Sequence, residues 1–212
     1  DARRLGRIEL IEGVTSPLNV LPLSKLGKDP ILEPLSLKSF SESILKRGTS
    51  LKALLLNQQM IYCGIGNWLC DDICYEARIH PAVKCSNLSP KQISRLHKAI
   101  RNVCTIAIRV NADSSKFPKN WLFHVRWRKS RSKKKKGSSS SSSAMKLPNG
   151  HIVTFETIAG RTTALVKSEQ RHHCDDGGDG GDGDGNATPT TTSKYFSSSS
   201  SKKTNKKKRK RK

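Results

Sequence analysis

Two features of the sequence have a chemistry that suits a phosphate group. Gly64, Gly66 and Asn67 come directly before an apolar segment with helical spacing. Glycines permit a tight turn, and backbone N–H groups at the positive end of a helix attract an anion. A second turn contains Gly160 and is followed by Arg161, whose guanidinium can bind two phosphate oxygens at once. An ordinary glycine turn before a helix cap is the alternative interpretation of the first feature.

The net charge of the chain indicates a polyanionic partner. Its 40 Lys and Arg residues against 17 acidic residues give a formal net charge of +23. Two short runs, residues 126–136 and 201–212, hold eight and nine basic residues and no acidic one. Such runs bind polyanions without sequence preference. This balance argues against an enzyme that acts on a neutral small molecule.

The composition predicts that part of the chain is unstructured, because only 34% of its residues are hydrophobic and 5% aromatic. No apolar stretch reaches the ~18 residues of a membrane span, so no membrane partner is expected. No secretory signal opens the chain, and we expect an intracellular protein. The first residue is Asp1, and Met60 and Met145 are the two methionines. This suggests the later part of a longer gene product.

The six cysteines favour reduced thiols over disulfides. Most of them lie in apolar helical patterns, and the chain has no export signal. No C-x-x-C pair is present, and His172, His173 and Cys174 lack the spacing of a structural zinc site. We therefore expect no metal and no cofactor.

Hydrophobic periodicity predicts four helices in a domain of residues 36–116. The first begins at Ser39 in a capping box and ends at Gly48, and the second spans residues 50–59. The third spans residues 68–79 and is capped by Asn67. The fourth has Ser89 as its N-cap and Pro90 as its first residue. Its apolar stripe consists of Ile93, Leu96, Ile100, Val103, Ala107 and Val110.

Beyond the helices the pattern becomes that of strands. Residues 121–127, 151–156 and 162–166 alternate, which predicts an antiparallel hairpin within residues 117–170. A Lys- and Ser-rich insertion, residues 128–148, interrupts it. The remaining predicted parts are the end of an upstream β-domain (1–14), a linker (15–35) and a disordered, low-complexity basic tail (171–212).

Five segments carry a specific pattern: Lys52-Ala53-Leu54-Leu55-Leu56-Asn57-Gln58, then residues 64–72, 77–81, 86–89 and 96–100. They resemble the helix-two-turn-helix domain of the formamidopyrimidine-DNA glycosylase and endonuclease VIII family. Residues 1–6 are similar to the end of that family's N-terminal β-domain, and residues 159–163 to the tip of its finger hairpin. The resemblance implies a mainly α fold with small β elements. Because 121–166 contains no cysteine, it implies a zincless finger, stabilised by packing of Trp121, Phe123, Val125, Val153 and Phe155.

The resemblance implies base excision repair of damaged double-stranded DNA by a monomer. Family enzymes flip oxidised or ring-opened bases out of the duplex, cut the glycosidic bond and then cleave the backbone. Carried over by position, the phosphate contacts are Asn67 and Arg161, assisted by Lys52 and the backbone amides of Gly64 and Gly66. Arg3 and Leu5 align with the pair that fills the space left by the flipped base. The family usually has Phe at the position of Leu5.

Two substitutions and one missing pair of residues depart further from the family pattern. Asn57 and Asp72 stand where Asp and Glu are usual. The N-terminal Pro and adjacent Glu, which supply the nucleophilic amine and the general acid, have no match in this chain. We therefore expect this chain to bind DNA without the reaction, and the intact product to be a bifunctional glycosylase and lyase. The alternative is a non-catalytic nucleic-acid-binding protein, associated with chromatin or ribosomes, that retains the fold.

The basic end of the chain resembles a bipartite nuclear localisation signal and predicts a nuclear protein. Its basic residues are Lys202, Lys203, Lys206, Lys207, Lys208, Arg209, Lys210, Arg211 and Lys212. A solvated charged tail is the alternative interpretation, and both allow additional nonspecific DNA affinity.

Overall fold

The computed structural model describes residues 10, 12–13, 15–126 and 145–172. All of them lie within one compact unit, residues 1–175. As predicted, this part of the chain is mainly helical with a small antiparallel sheet. The elements are α1 (Leu37–Leu45), α2 (Leu51–Leu56), α3 (Asn67–Glu76), α4 (Pro90–Arg109), α5 (Phe123–Arg126), β1 (Thr154–Ile158) and β2 (Arg161–Leu165).

The first two helices begin and end differently from the prediction. Ser36, not Ser39, is the N-cap of α1, because the Ser36 hydroxyl accepts the backbone N–H of Ser39 (3.2 Å). Helix α2 ends at Leu56, since Asn57 adopts an extended conformation. The Asn57 side chain then accepts the N–H of Gln59 (2.9 Å), which stabilises a turn where the sequence predicted helix.

The start of α4 confirms its prediction, and the start of α3 corrects one. The Ser89 hydroxyl accepts the N–H of Gln92 and the Gln92 side chain accepts the N–H of Ser89, so the capping box of α4 is complete. Helix α3 begins one residue earlier than expected. Its N-cap is Gly66, and Asn67 is its first helical residue, which leaves the Asn67 side chain available for other contacts.

The apolar face of α4 forms the centre of the helical core. Ile93, Leu96, Ile100 and Val103 are buried in one apolar cluster with side chains of α1, α2 and α3. Burial of each such side chain contributes about 1.5–3 kcal/mol. Four cysteines, Cys70, Cys74, Cys85 and Cys104, are buried with free thiols, and Cys63 is also free. Among the described cysteines, reduced thiols are therefore confirmed.

A second, smaller apolar cluster supports the hairpin. It contains Leu122, Val125, Leu147, Val153, Ala164 and Val166, with Phe155 packed against it. Trp121 and Phe123, which the sequence assigned to the hairpin, pack instead on the helical core beside Trp68 and Phe117. Tyr75 of α3 also packs against this cluster, so the hairpin depends partly on contacts with the helical part.

The prediction of a strand at residues 121–127 is wrong, because residues 123–126 of this segment form the helix α5. Leu122 and Val125, three residues apart, both contact the hairpin cluster, which is the spacing of a helix. The backbone N–H of Leu122 donates to Oδ1 of the Asp72 carboxyl (2.6 Å), which satisfies an amide at the start of α5. This acceptor lies fifty residues away in the sequence.

The hairpin turn places Arg161 at the first position of β2. Ala159 and Gly160 both have positive φ (+52° and +68°), as required by the two-residue turn that matches the twist of antiparallel strands. Ile158 pairs with Arg161, and the register continues to Thr154 opposite Leu165. The Arg161 side chain is exposed beside the turn.

Several predictions fall on residues that the structure does not describe. These are the opening strand with Arg3 and Leu5, most of the insertion 128–148, and the tail beyond residue 172. None of the described helices is both long and apolar enough to cross a membrane.

The buried carboxyl of Asp72 should make stability depend on pH. Burial raises its pKa to about 8, against the smaller opposing effect of the Leu122 N–H, so the folded chain keeps a proton that the unfolded chain loses above pH 4. Its contribution to stability is complete below pH 4 and is lost as the pH rises towards 8, at up to about 1.4 kcal/mol per pH unit. We expect Asp72→Asn, which keeps the acceptor for Leu122, to remove this loss.

Urea unfolding at pH 5 and pH 8 measures the effect. From pH 5 to pH 8, the free energy of unfolding of wild type should fall by up to about 4 kcal/mol more than that of Asp72→Asn. Asp113→Asn is the control: hydrogen bonds from Ser115 lower the pKa of the Asp113 carboxyl, so this group is ionised throughout that range. An equal pH dependence of wild type and Asp72→Asn would contradict the assignment.

Candidate nucleic-acid interface

The turn before α3 is shaped by the side chain of Gln58. Gly64 has φ +82° and donates its N–H to Gln58 Oε1 (2.6 Å). Gln58 Nε2 donates to the carbonyl oxygens of Leu56 (3.0 Å) and Ile65 (3.1 Å). Gln58 belongs to the family pattern, but the sequence does not predict its role, because one glutamine after a helix carries no local signal for these three partners.

The N-terminus of α3 opens onto free space. Its N-cap, Gly66, provides no side chain to accept the amides of the first turn. A Cβ placed on Gly64 or Gly66 would meet no atom of the described chain within 4 Å. Because the first amides of a helix have no partner within the helix, this end of α3 can accept an anion.

Asn67 joins this helix end to the hairpin. Its side-chain amide donates to the carbonyl oxygen of Thr162 (3.2 Å), the residue directly after Arg161. Its side-chain oxygen, Oδ1, is buried without a hydrogen-bond partner among the described residues. Asn67 and Arg161, ninety-four positions apart in the sequence, therefore lie in one region of the surface.

Arg126 also contacts the carbonyl oxygen of Thr162. Its Nη2 donates to the Thr162 oxygen (2.6 Å), and its Nη1 forms an ion pair with Asp71. The side chain is 6% exposed. A planar guanidinium can bridge two acceptors in this way, whereas a lysine amine is a single point of charge.

The carboxylate of Asp71 lies at the centre of these contacts. It is 1% exposed. Oδ1 accepts a bond from Lys52 Nζ (2.5 Å), and Oδ2 accepts the backbone N–H of Ala164 (2.9 Å) in addition to the Arg126 ion pair. Asp71 therefore links α2, α3, α5 and β2.

The position of Lys52 corrects the prediction that it contacts a phosphate. Its side chain is 0% exposed, and its amine is held by Asp71. Burial lowers its pKa to about 8, and the nearby Arg126 charge acts in the same direction, so the amine is still protonated at pH 7. Lys52 supports the interface from inside the protein, because a phosphate cannot reach it in this conformation.

The outcome for the other predicted site residues follows from the same geometry. Gly64, Gly66, Asn67 and Arg161 are brought together at one surface. Arg3, Leu5 and the basic residues from Lys202 to Lys212 lie outside the described residues. Of the departures from the family pattern, Asp72 holds the start of α5 and Asn57 ends α2.

We expect Lys52→Met to act on stability. The change leaves the buried Asp71 carboxylate with one cation fewer, and breaking a buried pair in this way costs about 3 kcal/mol. Urea unfolding at pH 7 measures the loss. Lys98→Met on the exposed side of α4 is the matched control and should change stability by less than about 0.5 kcal/mol. A fully stable Lys52→Met variant with weakened DNA binding would restore the phosphate assignment.

Comparisons with known proteins agree with this geometry. The protein-family model for the formamidopyrimidine-DNA glycosylase H2TH domain matches residues 26–119. A formamidopyrimidine-DNA glycosylase of Arabidopsis thaliana is 39% identical over 171 residues, which is 81% of this chain and 40% of the relative. One from Thermomicrobium roseum is 40% identical over 113 residues, which is 51% of this chain and 36% of the relative. The chain thus spans about two fifths of these curated relatives.

Solved structures share the fold. The MutM (Fpg) protein of Thermus thermophilus has a TM-score of 0.53 and 25% identity over 70% of this chain and 55% of its own. A Lactococcus lactis Fpg, solved in complex with DNA that contains an abasic site, has a TM-score of 0.53 and 24% identity over 69% of this chain and 51% of its own, which supports the fold alone. On the sequence matches and the shared fold, the chain belongs to the formamidopyrimidine-DNA glycosylase and endonuclease VIII family.

Proposed function

We propose that this chain is the DNA-binding part of a base excision repair glycosylase. The intact enzyme would flip an oxidised or ring-opened base out of duplex DNA, cut the glycosidic bond and then cleave the backbone. The observation that carries the proposal is the hydrogen bond from Asn67 to the Thr162 carbonyl. This bond brings the uncapped N-terminus of α3 beside Arg161, so that two phosphate-binding groups share one surface.

Flipping a base out of the duplex has an energetic cost that the protein must offset. Unstacking and unpairing a nucleotide costs a few kcal/mol, and the protein must offset this by holding the flanking phosphates in a bent geometry. The amides at the start of α3 with Asn67 provide one contact, and the Arg161 guanidinium provides a second. Two fixed contacts define a backbone shape, whereas the Lys-rich runs add affinity for any DNA.

The comparisons support the choice of substrate. The curated relatives from Arabidopsis thaliana and Thermomicrobium roseum are both named formamidopyrimidine-DNA glycosylase. We extend the proposal to Arg3 and Leu5, which would fill the space of the flipped base. Lys52 is not included among the DNA contacts, because its amine is buried.

We further propose that the chemical step resides in residues outside these 212. The family's reaction needs an amine that is unprotonated near neutral pH, and a terminal amine with a pKa near 8 meets this need better than an ordinary lysine. No residue of this chain matches the family's N-terminal Pro-Glu pair. A polypeptide of these residues would bind the damaged duplex as a monomer without cleaving it.

The basic end of the chain supports a nuclear location. Residues 202–212 hold nine Lys and Arg residues in a bipartite arrangement. The relative in Arabidopsis thaliana is a eukaryotic protein of the same family. The tail would also raise nonspecific DNA affinity, at the cost of greater salt sensitivity.

The proposed contacts predict a loss of lesion preference in two variants. Preference is measured as the ratio of the Kd for an intact duplex to the Kd for one with an abasic-site analogue. We expect Asn67→Ala and Arg161→Ala each to lower this ratio by about tenfold, because each removes a hydrogen bond to a charged phosphate. Deletion of residues 202–212 should weaken binding to both duplexes by the same factor and reduce the salt dependence of that binding.

Arg109→Ala is the control for loss of one exposed positive charge, because the Arg109 side chain, in the last turn of α4, is exposed. Its preference ratio should stay within about twofold of wild type, because loss of a nonspecific charge weakens binding to both duplexes alike. Equal preference in wild type, Asn67→Ala and Arg161→Ala would overturn the proposed contacts.

Borohydride trapping on abasic DNA tests the location of the chemistry. A polypeptide of these 212 residues should show only the slow background of a lysine-rich protein, whereas the full-length gene product should be trapped efficiently. Efficient trapping by the 212 residues alone would place a nucleophile within them. Absence of trapping by the full-length product would favour a non-catalytic DNA-binding protein.

A further inference from the structure

Arg126 has a place in the fold that its charge alone does not explain. It is almost fully buried, and it contacts a carboxylate on α3 and a backbone carbonyl on β2 at the same time. Asp71 already has a cation, Lys52, within 2.5 Å. The feature that Arg126 adds is the bridge from Asp71 to Thr162.

The bridge ends next to the residue that we propose binds phosphate. Thr162 directly follows Arg161 at the hairpin turn, and its carbonyl accepts bonds from both Arg126 and Asn67. Two residues further along β2, the N–H of Ala164 donates to Asp71. The backbone that carries Arg161 is therefore held by polar contacts at two points, and both depend on Asp71 or its partner.

We propose that Arg126 is a positioning residue that fixes the hairpin turn, and with it Arg161, at a set distance from the N-terminus of α3. This inference rests on the proposed function for its consequence in DNA binding, and on the contacts of Arg126 for its structural part. Arg126 itself does not contact the phosphate, because its side chain is 6% exposed.

The geometry explains why an arginine is required. A lysine at position 126 could retain the ion pair with Asp71, but it ends in a single nitrogen, which cannot occupy the positions of both Nη1 and Nη2. The hairpin would then keep its fold and its apolar cluster, while the turn would lose one of its two side-chain donors. A small displacement of a binding group is enough to weaken a contact that depends on direction.

The first measurement needs no DNA. Amide hydrogen exchange is compared in wild type, Arg126→Met and Arg126→Lys. We expect the Ala164 amide and its neighbours in β2 to exchange about tenfold faster in Arg126→Met, while amides in the middle of α4 change by less than about twofold. Unchanged exchange in β2, or equal acceleration in α4, would overturn the structural part of the inference.

The second measurement is a double-mutant cycle on binding to the abasic-analogue duplex. If Arg126 acts through Arg161, Arg126→Met should weaken binding about tenfold in wild type and less than about twofold in the Arg161→Ala background. Arg126→Lys should recover the Tm of wild type without recovering its lesion affinity. Additive losses in the cycle, or full recovery of affinity by Arg126→Lys, would contradict a positioning role.

The two measurements separate this inference from the proposed function. If wild type shows no lesion preference, the proposed function fails, and the exchange experiment still decides whether Arg126 holds the hairpin. If wild type and Arg161→Ala behave as expected but the cycle is additive, the proposed function stands and the role of Arg126 is refuted.

Discussion

The carboxylate of Asp71, on α3, makes polar contacts that join this helix to α2, α5 and β2. Taking a carboxylate out of water costs several kcal/mol, and this cost is offset only when both oxygens find donors. Here the donors are Lys52 from α2, Arg126 from α5 and the backbone of Ala164 in β2. Because each donor comes from a different element, the requirement to satisfy one buried charge fixes the hairpin relative to the helices.

This arrangement separates the positive charges of the folded part by function. Lys52 and Arg126 are buried and hold the structure together. Arg161 is exposed beside the open end of α3 and is free to meet an anion. The hydrogen bond between Asn67 and Thr162 keeps these two groups adjacent. Under the proposed function, specific contacts in the folded part and nonspecific attraction by the Lys-rich runs would contribute separately to DNA affinity.

Local signals in the sequence predicted the elements whose determinants are local. The capping box of Ser89 and the Ala159-Gly160 turn are examples, because the relevant partners lie within a few residues. Helix α5 was mistaken for a strand because its start is satisfied by Asp72, fifty residues away. Lys52 was assigned to the surface because one lysine in an apolar helix does not reveal a carboxylate nineteen positions later. The resemblance supplies the candidate site residues, and the packing of the fold shows that Lys52 is buried among them whereas Arg161 is exposed.

The most direct test of the central claim is an NMR titration of the chain with a short duplex that contains an abasic-site analogue. We expect the backbone amide resonances of Gly66 and Asn67 to shift together with the side-chain resonance of Arg161, at the same stoichiometry. The shifts should be smaller with an intact duplex. Shifts confined to the Lys-rich runs, or a response of the α3 amides without Arg161, would contradict the claim that these two groups form one DNA-binding surface.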